Sequence, residues 1–272
     1  MWLLMADGWQ KAYSMNLNLN NKKALITGAS RGIGLAIAKT FLQEGAKSCI
    51  VSRGSDALFE NKKRFQNAYG LDSVLAYKCN CTNIKSLINL RCKVEAKWDN
   101  LDIVVINVGD GRSVPDALPD DEQWQKTWSS NFESSLQTAR IFLPMLRKTK
   151  GCLLFVSSIA GIEAFGAPTD YSTAKSAINA LAKNMARKLA PEDVRVNVIA
   201  PGNVYFKGGS WDEKIQQDKL RVDEIIKSTV PMNRFALPQE VADAAIFLCS
   251  DRAKFITGAS LVVDGGQTVG VF

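Results

Sequence analysis

Ala24-Leu25-Ile26-Thr27-Gly28-Ala29-Ser30-Arg31-Gly32-Ile33-Gly34, close to the start of the chain, is the stretch on which the fold turns. A short apolar run meets glycines at once, and an amphipathic segment follows from Ile33 to Glu44, so it reads as strand, tight turn and helix. Glycines in such a turn allow left-handed backbone angles and close approach of a bound group. The helix that follows offers unpaired N–H groups to a phosphate. The pattern is that of a dinucleotide site, with Gly28, Ser30, Arg31, Gly32, Ile33 and Gly34 as expected contacts.

Outward from this stretch the same alternation repeats. Gly45-Ala46-Lys47 closes the first helix, and Ser48 to Ser52 is a second buried strand. A polar helix to about Tyr69 precedes a strand from Val74 to Asn80, a helix from Ile84 to Trp98 and a strand from Leu101 to Asn107. Next come a helix from about Asp121 to Lys148, a strand from Cys152 to Ser158, and a long helix from Thr169 to Ala190. Val194 to Ile199 and Ser260 to Val263 are the last strands, with a helix from Pro238 to Cys249 between them. Strands and helices in alternation, joined by short connections, predict an α/β fold: a single doubly wound parallel sheet of Rossmann type, with helices on both faces.

No repeat or low-complexity linker divides the chain, so residues 15–272 are expected to form one domain. Residues 1–14 read as an N-terminal extension, too short to span a membrane and without the basic start of a signal peptide.

The net charge of +7 comes from scattered Lys and Arg residues, which suits a solvated surface better than a nucleic-acid interface. Attraction of an anionic cofactor or substrate is consistent with it. The six cysteines form no CxxC pair and mostly sit in apolar runs, which points to free thiols and a cytoplasmic location. There is no histidine, so proton chemistry must use Tyr, Lys, Asp, Glu or Cys.

The end of the second strand selects the cofactor. A carboxylate there would bind the ribose 2′-hydroxyl of NAD, whereas an arginine accommodates the 2′-phosphate of NADP. The strand ends Val51-Ser52-Arg53, and Arg31 lies in the glycine turn, so NADP(H) is expected, with Ser52 and Arg53 among its contacts.

Further along, Tyr171 and Lys175 stand at i and i+4 of the long helix, on one face. An ammonium beside a phenol favours the phenolate, so Lys175 is expected to lower the Tyr171 pKa from its ordinary value of about 10. That would fit Tyr171 for acid-base work near neutral pH.

With these residues in view, the chain resembles the short-chain dehydrogenase/reductase family over nearly its whole length from Met15. The resemblance rests on Thr27-Gly28-Ala29-Ser30-Arg31-Gly32-Ile33-Gly34, Asn107-Val108-Gly109, Asn131, Ser158, Tyr171-x-x-x-Lys175 and Pro201-Gly202, in that order. The ending from Ile256-Thr257-Gly258 to Val263-Asp264-Gly265-Gly266 is similar to the 3-oxoacyl-carrier-protein reductases. The resemblance implies a catalytic tetrad of Asn131, Ser158, Tyr171 and Lys175. Ser158 would hold the substrate carbonyl, and Tyr171 would protonate it as hydride arrives. Lys175 would tune the tyrosine and hold the nicotinamide ribose, and Asn131 would support a proton-relaying water. It also implies cofactor contacts from Asn80, Cys81, Asn107, Gly109, Pro201, Gly202 and Val204, and a homotetramer or homodimer with no membrane or nucleic-acid partner.

The chain departs from the family at three places. Ile106 replaces the first asparagine of the usual Asn-Asn-Ala-Gly, and Asn80 stands where an adenine-contacting Asp is common. Beyond the catalytic helix, where a carrier-binding arginine is expected, it has Ala190-Pro191-Glu192-Asp193. Acidic residues there would repel an acidic carrier protein, although Lys148 and Lys150 lie on the neighbouring helix end.

The segment from 203 to 230 is expected to form a substrate lid, hinged at Gly208-Gly209 and mixing Tyr205, Phe206 and Trp211 with Lys207 and Arg221. Such a surface suits a polar carbonyl, for example a keto sugar in surface-glycan synthesis, as well as an acyl chain. A catalytically idle NADP-binding regulator is the alternative from another class.

Overall fold

The computed structural model describes residues 16–271; the expected extension over residues 1–14 lies outside them. Seven strands run parallel in one sheet: β1 (Lys23–Thr27), β2 (Lys47–Ser52), β3 (Val74–Lys78), β4 (Ile103–Ile106), β5 (Cys152–Val156), β6 (Arg195–Pro201) and β7 (Ser260–Val263). Their spatial order is β3-β2-β1-β4-β5-β6-β7. The strand order therefore reverses at β1, with β2 on one side and β4 on the other, which opens a crevice at the carboxyl ends of these strands.

Helices cover both faces, which is why β4 and β5 are buried throughout rather than alternating with polar residues. One face packs α1 (Gly32–Gln43), α2 (Asp56–Tyr69) and α9 (Pro238–Cys249) around Ile26, Phe41 and Ile246. The other packs α3 (Ile84–Trp98), α5 (Ser134–Thr149) and α6 (Thr169–Leu189) around Leu25, Phe142 and Ile178. Successive residues of β1 thus serve opposite cores, as the period of a strand requires.

Several boundaries differ from the sequence expectation, each where the chain meets the crevice. β3 and β4 stop at Lys78 and Ile106, so Asn80 and Asn107 leave the sheet. The single helix expected from Asp121 to Lys148 is α4 (Asp121–Trp128), a π-helical turn over Ser129–Glu133, and α5. This wider turn carries the buried Asn131. The lid is helical: α7 (Ser210–Gln217) and α8 (Lys219–Thr229), with Val222, Ile226 and Val230 packed against Trp211, Ile215 and Phe235.

Candidate active site

A cavity of about 920 Å³ occupies the crevice, from Arg53 and Ala57 at one end to Trp211, Thr229 and Gln267 at the other. It falls within the size range of small-molecule and cofactor sites, about 300–1,000 Å³. A second cavity, of about 560 Å³, lies at the amino ends of the strands beside Lys22, Asp102 and Arg195, away from the expected site residues.

Tyr171 and Lys175 rise from α6 into the crevice, and both line it with Ser158 from the end of β5. Lys175 is only 3% exposed; its Nζ donates to the Val156 carbonyl at 3.1 Å and lies 5.7 Å from the centre of the Tyr171 ring. The Ser158 hydroxyl accepts from the Ala160 N–H at 3.2 Å and lines the cavity with Tyr171. The turn after Ser158 is docked on α6. The Gly161 carbonyl accepts from Ser176 and Asn179, each at 3.0 Å, and a side chain at Gly161 would come within 2.7 Å of the Lys175 backbone. That contact fixes Ser158 relative to the helix carrying Tyr171.

Asn131 is fully buried and grips the loop after β4. Its Nδ2 donates to the Asp110 carbonyl at 3.0 Å, and its Oδ1 accepts from the Asp110 N–H at 3.1 Å. Gly109 sits between Asn131 and Lys175: a Cβ there would fall 2.8 Å from Asn131 Oδ1 and 2.9 Å from Lys175 Nζ. All four residues of the expected tetrad therefore meet at one end of the crevice.

Their electrostatics correct one expectation. Burial raises the Tyr171 pKa above its ordinary value; the Ser158 hydrogen bond opposes this, and Asp110 adds to it. Lys175 does not bring the phenol down, because the same burial acts on the ammonium and pushes it down to about 8.

Asp170, immediately before Tyr171, escaped the sequence reading. It is 1% exposed, accepts from the Ser113 hydroxyl at 2.6 Å and ties the 110–119 loop to the start of α6. Burial raises its pKa, but hydrogen bonds from Ser113, Thr127, the Tyr171 N–H and Gln123 outweigh that and hold it below the usual carboxylate value. An acid in the first turn of a helix, where it complements the dipole, was the available signal.

At the other end of the crevice Gly28 and Gly32 have φ of 64° and 57°. No side chain caps the N-terminus of α1, so its first N–H groups are free to meet an anion. Arg53 is exposed at the rim, and Arg31 donates to the Gly208 carbonyl at 2.7 Å. Uncapped N–H groups with two arginines alongside fit a dinucleotide bearing a 2′-phosphate. Ser30, Ile33, Ser52, Asn80, Cys81, Pro201, Gly202 and Val204 also line the cavity, whereas Gly32 and Gly34 do not: a Cβ would meet Phe206 at 2.7 Å on Gly32 and the Asn107 amide at 2.5 Å on Gly34.

Some expected contacts are already engaged. Asn107 Nδ2 donates to the carbonyls of Thr27 and Gly28, both at 3.1 Å, and so holds the glycine turn against β4. The Asn80 side-chain oxygen accepts from the Thr82 N–H and hydroxyl at 3.2 and 2.9 Å, which leaves its amide nitrogen for any base contact.

The lid is held across the cavity. Arg112 makes a two-pronged pair with Glu213 at 2.9 and 2.6 Å, and Phe206 lies over the glycine turn, 2.7 Å from where a Cβ on Gly32 would be. The expected Gly208 hinge is pinned: its N–H donates to Asp212 at 2.8 Å and its carbonyl receives Arg31. Tyr205 and Trp211 pack on Phe235, with ring centres 6.0 and 5.3 Å apart.

The chain is similar to known oxidoreductases over most of its length. The family described as enoyl-(acyl carrier protein) reductase matches residues 28–268. The rat dehydrogenase/reductase SDR family member 4 is 31% identical, over 97% of this chain and 96% of its own. The 3-oxoacyl-[acyl-carrier-protein] reductase FabG of Escherichia coli K12 is 32% identical, over 92% and 99%. Among solved structures, the L-sorbose reductase of Gluconobacter frateurii complexed with NADPH and L-sorbose superposes with a TM-score of 0.88. It is 29% identical, covering 94% of this chain and all of that one.

Proposed function

The chain belongs to the short-chain dehydrogenase/reductase family, and we propose that it interconverts a ketone and its alcohol with NADP(H), using Tyr171 as the proton donor. The observation that carries this reading is the convergence of Tyr171, Ser158, Lys175 and Asn131 at one end of a crevice whose other end offers an uncapped helix N-terminus.

The 28–34 turn with Arg31 and Arg53 would hold the cofactor, whose chemistry when bound would be to supply hydride for the carbonyl carbon. Ser158 donates a hydrogen bond to the carbonyl oxygen, and Tyr171 gives that oxygen its proton, so the ketone gains one hydride and one proton and leaves as the alcohol. A phenol whose pKa burial has raised stays protonated at neutral pH and is suited to the reductive direction. Lys175, with its pKa near 8, is poised to return a proton to Tyr171, and Asn131 keeps the Asp110 loop and Gly109 packed against Lys175. The NADPH complex of the sorbose reductase supports the cofactor choice, as do the two arginines and the absence of a carboxylate at the end of β2.

Similarity to the 3-oxoacyl-carrier-protein reductases favours a 3-oxoacyl thioester. One observation favours a free, polar carbonyl instead. Three cations beside the catalytic helix are neutralised: Arg147 pairs with Glu192 at 2.7 Å, Lys150 with Asp193 at 2.8 Å and Lys148 with Glu95 at 3.5 Å. That weakens the positive surface an acidic carrier would need, although Arg187 and Lys188 in the last turn of α6 stay exposed. Following NADPH consumption with a 3-oxoacyl thioester and with a panel of small hydroxylated ketones separates the two. A protein that binds NADPH and reduces neither class would be a regulator, not an enzyme.

A further inference from the structure

The charged side chains that line the crevice are Arg31, Arg53, Arg112, Lys175 and Lys214, set against Asp110 alone. Four of these cations are accounted for. Arg31 and Arg53 flank the glycine turn, Lys175 stands beside Tyr171, and Arg112 is held by Asp110 at 3.0 Å and by Glu213. Lys214 is left over: no ion pair among the described residues includes it.

The lid sets this ammonium in place. Lys214 lies one turn after Trp211 in α7, with its Nζ 4.5 Å from the centre of the indole ring, and that ring packs in turn on Phe235. The two acids that precede it on the helix are occupied elsewhere. Asp212 accepts from the Tyr205 hydroxyl at 2.9 Å and from the Gly208 N–H, and Glu213 holds Arg112. The Arg112–Glu213 pair ties α7 to the loop after β4, where a Cβ on Gly111 would lie 3.6 Å from the Tyr171 ring. Lys214 therefore stays on the wall of the cavity that Tyr171 also lines.

We propose that Lys214 determines specificity by binding an anionic group of the substrate, so that the preferred substrate is a small ketone bearing a carboxylate. This rests on the carbonyl-reductase reading above and deepens it. An ammonium has three donors and no acceptor, and a cavity with this excess of cations draws an anion more strongly than a neutral acceptor. One point charge suits a carboxylate; a phosphate dianion would call for a second free cation, and Arg112 is already committed to two acids. Lys214 keeps its access to water, so the preference is expected to weaken with salt.

The test pairs three keto acids of increasing carbonyl-to-carboxylate separation, pyruvate, acetoacetate and levulinate, with their methyl esters, using NADPH with the wild type, Lys214→Met and Lys214→Arg. The wild type should favour at least one acid over its ester in kcat/KM by roughly 10-fold, the worth of one charge-assisted hydrogen bond. That ratio should shrink as NaCl is raised from about 0.05 to about 0.5 M. Lys214→Met should raise the KM of the favoured acid and bring the ratio close to one, whereas Lys214→Arg, which keeps the charge, should retain most of it. If Lys214→Met fails to fold, the wild-type ratios and their salt dependence still decide. A wild-type ratio near one for all three acids overturns the proposal. So does a preference that survives in Lys214→Met, or an equal loss for acid and ester with a raised KM for NADPH, which would put Lys214 on the cofactor. A wild type that reduces acids and esters alike defeats only this inference, whereas one that reduces no carbonyl defeats the reading beneath it as well.

Discussion

Lys175 and Tyr171 stand one helical turn apart with the ammonium 5.7 Å from the ring centre, and burial moves the two pKa values in opposite senses. The phenol rises above its ordinary value and the ammonium falls to about 8, so Lys175 is the first of the pair to lose its proton as pH increases. Since kcat/KM reports the free enzyme, its profile for carbonyl reduction is expected to be flat near neutrality and to fall through an apparent pKa near 8. Steady-state rates with NADPH from pH 6 to about 9.5 check this.

The same burial has a consequence for stability. Below pH 8 Lys175 is charged in both the folded and the unfolded chain, and the folded state bears the full cost of enclosing it. Between about 8 and the ordinary lysine value near 10.4, the unfolded chain binds more protons, so this group's contribution makes stability rise with pH. Lys175→Met should therefore stop the reaction yet unfold at pH 7 no earlier than wild type. A gain on the order of 1 kcal/mol is expected, shrinking as pH approaches 10; thermal melts at the two pH values measure it.

In the proposed function cofactor choice rests on Arg53, exposed at the rim where the ribose 2′ position of a dinucleotide on the glycine turn would lie. Replacing it with Asp offers a carboxylate to a 2′-hydroxyl and repels a 2′-phosphate. The KM for NADPH should rise by about 10-fold or more, the worth of one charge-assisted hydrogen bond, while NADH use improves. An unchanged NADPH/NADH ratio would remove Arg53 from the site.

The fold was legible because its determinants are local. The 24–34 stretch forms the strand, turn and uncapped helix its glycines imply, and the apolar runs became buried parallel strands. Ser158, Tyr171 and Lys175 could be placed together from the sequence because they stand just past a strand end and on one helix face. What could not be read was set by distant contacts. The π-helical turn at Asn131 is a matter of backbone hydrogen-bond register, which side-chain periodicity does not report. The lid helices did carry a weak signal, Val222, Ile226 and Val230 at spacing four, masked by surrounding charge. The rise in the Tyr171 pKa, the Asp170–Ser113 bond and the Arg112–Glu213 pair all depend on segments far apart in sequence closing over the crevice.

The central claim is that Tyr171 protonates the carbonyl while the rest of the site binds the cofactor, and Tyr171→Phe tests it most directly. NADPH binding, followed by fluorescence titration, should be nearly unchanged, while carbonyl reduction falls by about 100- to 10,000-fold, the usual worth of a general acid. Turnover within a few-fold of wild type, with binding intact, would contradict the account.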